Sequence, residues 1–248
     1  MNDVIVVASG KGGTGKSTVC VGLSAALVKQ NKKVLLIDCD CGMRGIDLML
    51  DAEEDILFDC SDVICGNCKP RDAVYPSRNL KDLFLMAAPF DTDNEISPTV
   101  FKQMVDELKS DYDYVVIDSP AGLGSGFATA AAPADRALIV TNAEPTSIRG
   151  AIKIKNRLNS LDINDIRLVI NRFDRKQFEE NACYSDLDEI IDVVGIRLIA
   201  LVPYDGRLNA MFQNGYAGLN WSPAVTVFDC LAKRVGGIKV PLAYNGNK

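Results

Sequence analysis

Nine consecutive residues, Gly10-Lys11-Gly12-Gly13-Thr14-Gly15-Lys16-Ser17-Thr18, carry the sharpest chemical signal in the sequence. From Gly10 to Ser17 they fit G-x-x-x-x-G-K-[ST], a spacing suited to wrapping backbone around phosphate oxygens. Its glycines let the chain curl with N–H groups facing inward, and a helix starting behind them adds free donors and partial positive charge. Lys16 is placed to bridge β- and γ-phosphates, and Ser17 to offer its hydroxyl to Mg²⁺. Lys11 is a second lysine that this pattern does not require.

Other polar residues close short apolar runs. Val34-Leu35-Leu36-Ile37 ends at Asp38, with Asp40 two residues on. Tyr114-Val115-Val116-Ile117 ends at Asp118, the arrangement that holds a Mg²⁺ shell beside a phosphate loop. Arg167-Leu168-Val169-Ile170 ends at Asn171.

These residues need a scaffold that brings strand ends to one edge. Val4 to Ala8 reads as a buried strand before the loop and Thr18 to Gln30 as a helix after it; with a strand over Val34–Ile37 they make a βαβ unit. Residues 51–80 read as short helices and loops. A third strand is predicted at Leu83–Ala87, a helix opening at Ser97-Pro98 with Ser97 as its cap, and a fourth strand at Tyr114–Asp118. Ala137–Thr141, a helix from Thr146 to Leu161, Arg167–Asn171, a seventh strand at Arg197–Leu201 and a helix over Ser222–Val235 continue the alternation. The expectation is one doubly wound α/β domain over residues 1–248, its mainly parallel sheet flanked by helices and its ligands at the carboxyl ends of the strands.

Composition narrows the chemistry. The 248 residues are 48% apolar and 24% charged, enough for a sizeable globular core. A net charge of −6 disfavours a broad DNA-binding face. Histidine is absent, which excludes imidazole bases, Ser-His triads and histidine metal sites. The eight cysteines read as reduced thiols rather than a disulfide framework. Residues 3–8 read as strand rather than signal peptide, and no apolar run nears the ~18 residues of a membrane span, so a cytoplasmic protein is expected.

The loop with its extra Lys11 resembles the deviant Walker A motif of the ParA/MinD class of P-loop ATPases. Leu36–Asp47, Asp113–Gly122, Leu168–Arg172, Asp188–Ile191 and Val240–Leu242 resemble the MinD branch more than the ParA branch. Gly42-x-Arg44-x-x-Asp47 and Pro120-Ala121-Gly122 are the most specific elements of a resemblance covering roughly residues 2–242. It implies a P-loop NTPase fold and a slow Mg²⁺-ATP-dependent ATPase, a switch in division septum placement whose two subunits sandwich two ATP molecules. Lys11 is implied to act in trans on the partner's nucleotide, alongside Lys16 in cis. Asp40 is implied to position the attacking water, and Asp38 to support the Mg²⁺ held by Ser17 and Asp118. Gly10, Gly12, Gly13, Thr14, Gly15 and Thr18 complete the phosphate cradle. Asn171 resembles the adenine-reading residue, its amide able to donate and accept at once, with Arg172 and the Pro203-Tyr204-Asp205 loop beside it.

By the same resemblance Asp40–Asp47 and Asp118–Gly126 are two segments that sense the γ-phosphate, with Gly122, Gly124 and Gly126 making the second pliable. Glu144, Ser147 and Arg149 resemble a dimer-face segment, although Pro145 equally suits a helix start. The implied partners are a second copy in the ATP state, a division inhibitor, and an ATPase-stimulating or topological protein.

The sequence departs from the MinD branch at its end. Members usually finish on an amphipathic membrane-binding helix, whereas Pro241 is followed by Leu242-Ala243-Tyr244-Asn245-Gly246-Asn247-Lys248, with no apolar face of any area. Stable membrane binding is not expected of these residues, and attachment to the inner face of the membrane would need an anchor in a longer native chain. Cys60-x₄-Cys65-x₂-Cys68 could ligate zinc or part of an iron–sulfur cluster, and the class includes such carriers. No cysteine lies between Cys68 and Cys183, so free thiols are expected. ParA-like DNA segregation and flagellar placement are the alternative functions.

Overall fold

A computed structural model of the chain describes residues 2–41, 45–89, 96–210 and 222–242. Its frame is a sheet whose central strands are almost unbroken apolar runs, the pattern of parallel strands covered on both faces. The described strands are β1 (Asp3–Ala8), β2 (Val34–Asp38), β3 (Tyr75–Pro76), β4 (Leu83–Met86), β5 (Tyr114–Asp118), β6 (Arg136–Thr141), β7 (Ile166–Phe173) and β8 (Leu198–Pro203). They pair in the order β3-β4-β2-β5-β1-β6-β7-β8, all parallel except the antiparallel β3–β4 edge.

Alternation along β1 divides the core. Ile5 and Val7 face α1 (Lys16–Lys29), α2 (Ile46–Leu50) and the last helix, α9 (Pro223–Val235). Val4, Val6 and Ala8 face the other layer: α3 (Cys60–Ile64), α4 (Pro98–Leu108), α5 (Ser125–Ala131), α6 (Pro145–Asn159), α7 (Arg175–Asn181) and α8 (Leu187–Val194). Helix α1 is buried nearly all round because it lies between the sheet and α9, with Phe228 seated directly over Gly22. Strands laid down before β6 build to one side of β1 and later ones to the other, and the crevice at that reversal is where such sheets bind ligands.

The doubly wound, mainly parallel architecture is as expected, with adjusted boundaries. Helix α1 starts at Lys16 rather than Thr18, and α6 covers Pro145–Asn159. β7 and β8 run on to Phe173 and Pro203, so Arg172 and Pro203 are strand residues rather than loop. The stretch 51–80 contains α3, whose cap Asp59 accepts from the Ser61 amide, but also the unforeseen β3. A proline is tolerated there because the strand is at an edge. Among the described residues no helix is long and apolar enough to cross a membrane.

Candidate functional site

The loop after β1 is held from three sides. Gly15 caps α1 in a left-handed conformation (φ 83°), and the free N–H groups of the first helical turn, from Lys16 onward, face the loop. Gly10 lies against Gly150 of α6 so closely that a Cβ on residue 10 would sit 2.3 Å from the Gly150 backbone. Asn171, near the end of β7, donates from Nδ2 to the carbonyls of Thr14 (2.8 Å) and Gly15 (3.5 Å).

The strand ends supply the charge. Register places Asp38 of β2 level with Asp118 of β5, which is level in turn with Val7 of β1. Lys16, only 6% exposed, donates from Nζ to Asp118 Oδ1 at 2.5 Å and lies 3.7 Å from Asp40 Oδ2. Cys20, one turn further along α1, donates its thiol to the same Asp118 oxygen at 3.3 Å. Asp118 Oδ2, Thr14 Oγ1 and Asn171 Oδ1 are buried without a hydrogen-bond partner among the described residues. Three carboxylates around one ammonium leave an excess of negative charge, and the orphaned oxygens mark where donors or a cation are lacking. These residues fit a polyphosphate with a bound cation.

Burial and the neighbouring Asp118 charge push Asp38 up to about 7, against the hydrogen bond that its Oδ1 accepts from the Asp40 amide (2.9 Å) and the charge of Lys16. Burial likewise raises Asp118, although the charge of Lys16 first, and the hydrogen bonds from Lys16 and Cys20 with the nearby Ser17 hydroxyl, favour its ionised form. Burial works against a charged Lys16, but the adjacent Asp118 carboxylate prevails and holds it above its ordinary value. Burial first, and Asp118 second, push the Cys20 thiol well up, so it stays protonated. Between the ordinary carboxylate value of 3.8 and about 7, the folded protein holds a proton on Asp38 that the unfolded chain releases. This contribution to stability is therefore present at low pH and lost as pH rises through that window. Without nucleotide or Mg²⁺, Asp38→Asn is expected to raise the melting temperature clearly at pH 8 and by much less at pH 5, where folded Asp38 is still neutral and only its ionisation in the unfolded chain opposes folding. Thermal unfolding of both proteins at the two pH values measures this, and a parallel shift at both would contradict it.

Most of the sequence-predicted residues meet in one cavity of about 630 Å³. Gly12, Gly13, Thr14, Gly15, Lys16, Ser17 and Thr18 form one wall, Asp38 and Asp40 another, and Asn171, Arg172, Pro203, Tyr204 and Asp205 the far end. Arg172 adopts a left-handed backbone (φ 53°) there, and Asp205 is locked onto Arg207 at 3.0 Å. Gly10, Lys11 and Asp118 do not line the cavity: Gly10 and Asp118 lie behind its wall, and Lys11 points outward to Glu144 at 3.2 Å. Glu144 caps α6 and Pro145 is its first residue, so that segment does start a helix. Gly124 and Gly126 are not free loop: Gly124 caps α5 and Gly126 lies within it. Gly42 and Arg44 of the Gly42-x-Arg44-x-x-Asp47 element, and residues 243–248 of the tail, lie outside the described residues.

Sequence reasoning missed several lining residues. Leu48 and Met49 of α2 and Leu208 add apolar lining to the cavity, yet their local pattern is that of any short helix. Ser9 and Ala121 adjoin motifs already singled out. Cys20 was legible only as a small apolar helix residue. The Cys60, Cys65 and Cys68 thiols are buried, exposed and half-buried respectively, and all are free. Among the described residues no group of three or more His, Cys, Asp or Glu side chains is arranged to hold a metal ion by itself, so any Mg²⁺ at the strand-end carboxylates would depend on phosphate oxygens and water as well. Burial, then neighbouring acids, raise both Cys60 and Cys68 above the ordinary thiol value, which opposes thiolate ligation.

A glycine loop that opens a helix at the carboxyl edge of a parallel sheet, with a buried lysine–aspartate pair beneath it, defines a P-loop NTPase. A family model described as an AAA domain matches residues 2–170. The septum site-determining protein MinD of Thermotoga maritima is 36% identical over 247 residues, 98% of this chain and 91% of that protein. MinD in the Aquifex aeolicus MinC:MinD cell division complex superposes with a TM-score of 0.91 at 33% identity, covering 99% of this chain and 100% of that one. MinD from Pyrococcus horikoshii, complexed with Mg-ADP, gives 0.84 at 28% identity over 95% and 96%. This chain belongs to the family of septum site-determining MinD proteins.

Proposed function

We propose that the chain is a single P-loop ATPase domain that binds ATP with Mg²⁺ in the 630 Å³ cavity and dimerises around it as a switch in division septum placement. The observation that carries this reading is the Lys16–Asp118 pair beneath the loop, with Asp118 Oδ2 left unpartnered. Lys16 is the one buried ammonium at the foot of the described cradle, and phosphate oxygens offer it an alternative partner. Ser17 and Asp118 would hold Mg²⁺, with Asp38 and Asp40 in support. So few protein ligands suit an ion that keeps waters and takes phosphate oxygens. When bound, Mg²⁺ neutralises charge on the transferring phosphoryl group. Asp40, 36% exposed and beside Lys16, is placed to orient a water rather than to act as a strong base, since positioning dominates this chemistry. Asn171 and Arg172 would read adenine, with Tyr204 a 62% exposed ring beside them.

Lys11 serves the second subunit in this reading. Its pairing with Glu144 is half exposed at both ends, and such pairs are worth under about 1 kcal/mol, so it does not hold the lysine back. Lys11→Ala is expected to abolish ATP-induced dimerisation while some nucleotide binding remains. Gel filtration with ATP, paired with nucleotide titration, tests this. A Lys11→Ala chain that dimerised like its parent would remove the trans role. A division inhibitor as partner is supported by the MinC:MinD complex of the Aquifex relative. A stimulating or topological partner completes the proposal, with attachment to the cytoplasmic face of the membrane only where the native chain carries an anchor.

A further inference from the structure

We infer that Cys20 is a positioning residue of the cation site: its thiol fixes the Asp118 carboxylate once Lys16 turns to phosphate. The inference rests on the Mg²⁺-nucleotide reading above and adds a residue with no place in the phosphate-loop motif.

Cys20 follows Lys16 by four residues on α1, so the two side chains project from the same face of the helix. Both donate to Asp118 Oδ1, Lys16 at 2.5 Å and Cys20 at 3.3 Å. Cys20 and Asp118 are each 0% exposed, so no water can take the place of a lost donor. Oδ2 remains without a partner. The two oxygens are thereby divided: one is tied to α1 and the other is spare.

The tie from Lys16 cannot be permanent if that ammonium is to serve a polyphosphate. When it leaves, the thiol still holds Oδ1, and the carboxylate stays at one rotation about its Cβ–Cγ bond. A free carboxylate would turn and lose part of its fit to a cation shell that tolerates little distortion. A packing role alone predicts something else. Cys20 belongs to the core cluster of α1 and α9, and in that role only its volume would matter.

Three variants separate the two roles. Cys20→Val keeps apolar volume without a donor, Cys20→Ser keeps a donor with less volume, and Cys20→Ala removes both. The probe is a fluorescent ADP analogue titrated into each protein at stepped MgCl₂ concentrations, read as the Mg²⁺ concentration that gives half the gain in affinity. Cys20→Val and Cys20→Ala are expected to raise it about three- to tenfold, the worth of one hydrogen bond, while Cys20→Ser stays within about twofold of the parent. Melting temperature should instead follow volume, with Ser and Ala lowered and Val closest to the parent. Val and Ala variants with the parent's Mg²⁺ dependence, or a Ser variant shifted as far as Ala, would overturn the inference. A parent protein whose nucleotide affinity ignored Mg²⁺ would overturn the reading of the site itself, and this inference with it.

Discussion

Gly10→Ala is expected to weaken nucleotide binding by about a hundredfold or more and to lower the melting temperature, while Gly12→Ala melts like the parent. A Cβ on residue 10 would lie 2.3 Å from both Cα and the carbonyl carbon of Gly150. These are backbone atoms within α6 and cannot swing aside as a side-chain tip could, so the loop or the helix must move. Overpacking of this kind costs ~1–3 kcal/mol, or several degrees in a chain of this length. The loop also carries Lys16 and the inward N–H donors, and ~1 Å of misplacement at such a site costs ~10²-fold. A Cβ on Gly12, by contrast, would meet no heavy atom within 4 Å. Thermal scans of both variants with titration of a fluorescent nucleotide make the comparison. Equal melting temperatures would mean that the approach of loop to α6 is looser than it stands.

The second large effect concerns Lys16. Lys16→Met is expected to lower ATP turnover at least about a hundredfold, the usual loss when a preorganised charge partner is removed. It also strips the ammonium from Asp118, a carboxylate with no exposed surface, and breaking a buried pair in this way costs ~3–5 kcal/mol. Asp118 can escape part of that by taking a proton, so the destabilisation should be greater at pH 8 than at pH 6. The double variant Lys16→Met/Asp118→Asn should regain much of the stability and none of the activity. Chemical denaturation and phosphate release, run as a double-mutant cycle, separate the two quantities. A Lys16→Met protein as stable as its parent at pH 8 would show that the pair does not hold the strand end.

Much of this was legible in the residues because it is local. Val4 to Ala8 and Tyr114 to Asp118 are unbroken apolar runs, and a run of that kind between turn residues has few structures open to it. The phosphate loop was legible for the same reason, since its glycine spacing is a property of eight consecutive residues. What escaped depends on segments that meet only in the folded chain. Tyr75 and Pro76 become a strand solely because β4 lies beside them. Lys11 finds Glu144 across 133 positions, and Cys20 finds Asp118 across 98. Gly150 looked like an ordinary helix glycine until its partner, Gly10, was in place. Boundaries moved where tertiary pairing outlasts the apolar pattern, as at Arg172 and Pro203, which β7 and β8 carry beyond their apolar cores.

Asn171 donates its amide to the carbonyls of Thr14 and Gly15, so the residue expected to read the base already braces the loop that takes the phosphates. The conformational entropy of that loop is lost when the chain folds, not when it meets a ligand. Capture can then proceed at the pace of encounter, with no folding step in its path. The Oδ1 of Asn171 is still spare among the described residues, so the same amide can accept from a bound base while its nitrogen keeps hold of the carbonyl of Thr14. For a slow switch, the duration of each signalling state is then set by residence time and hydrolysis, and hardly at all by loading.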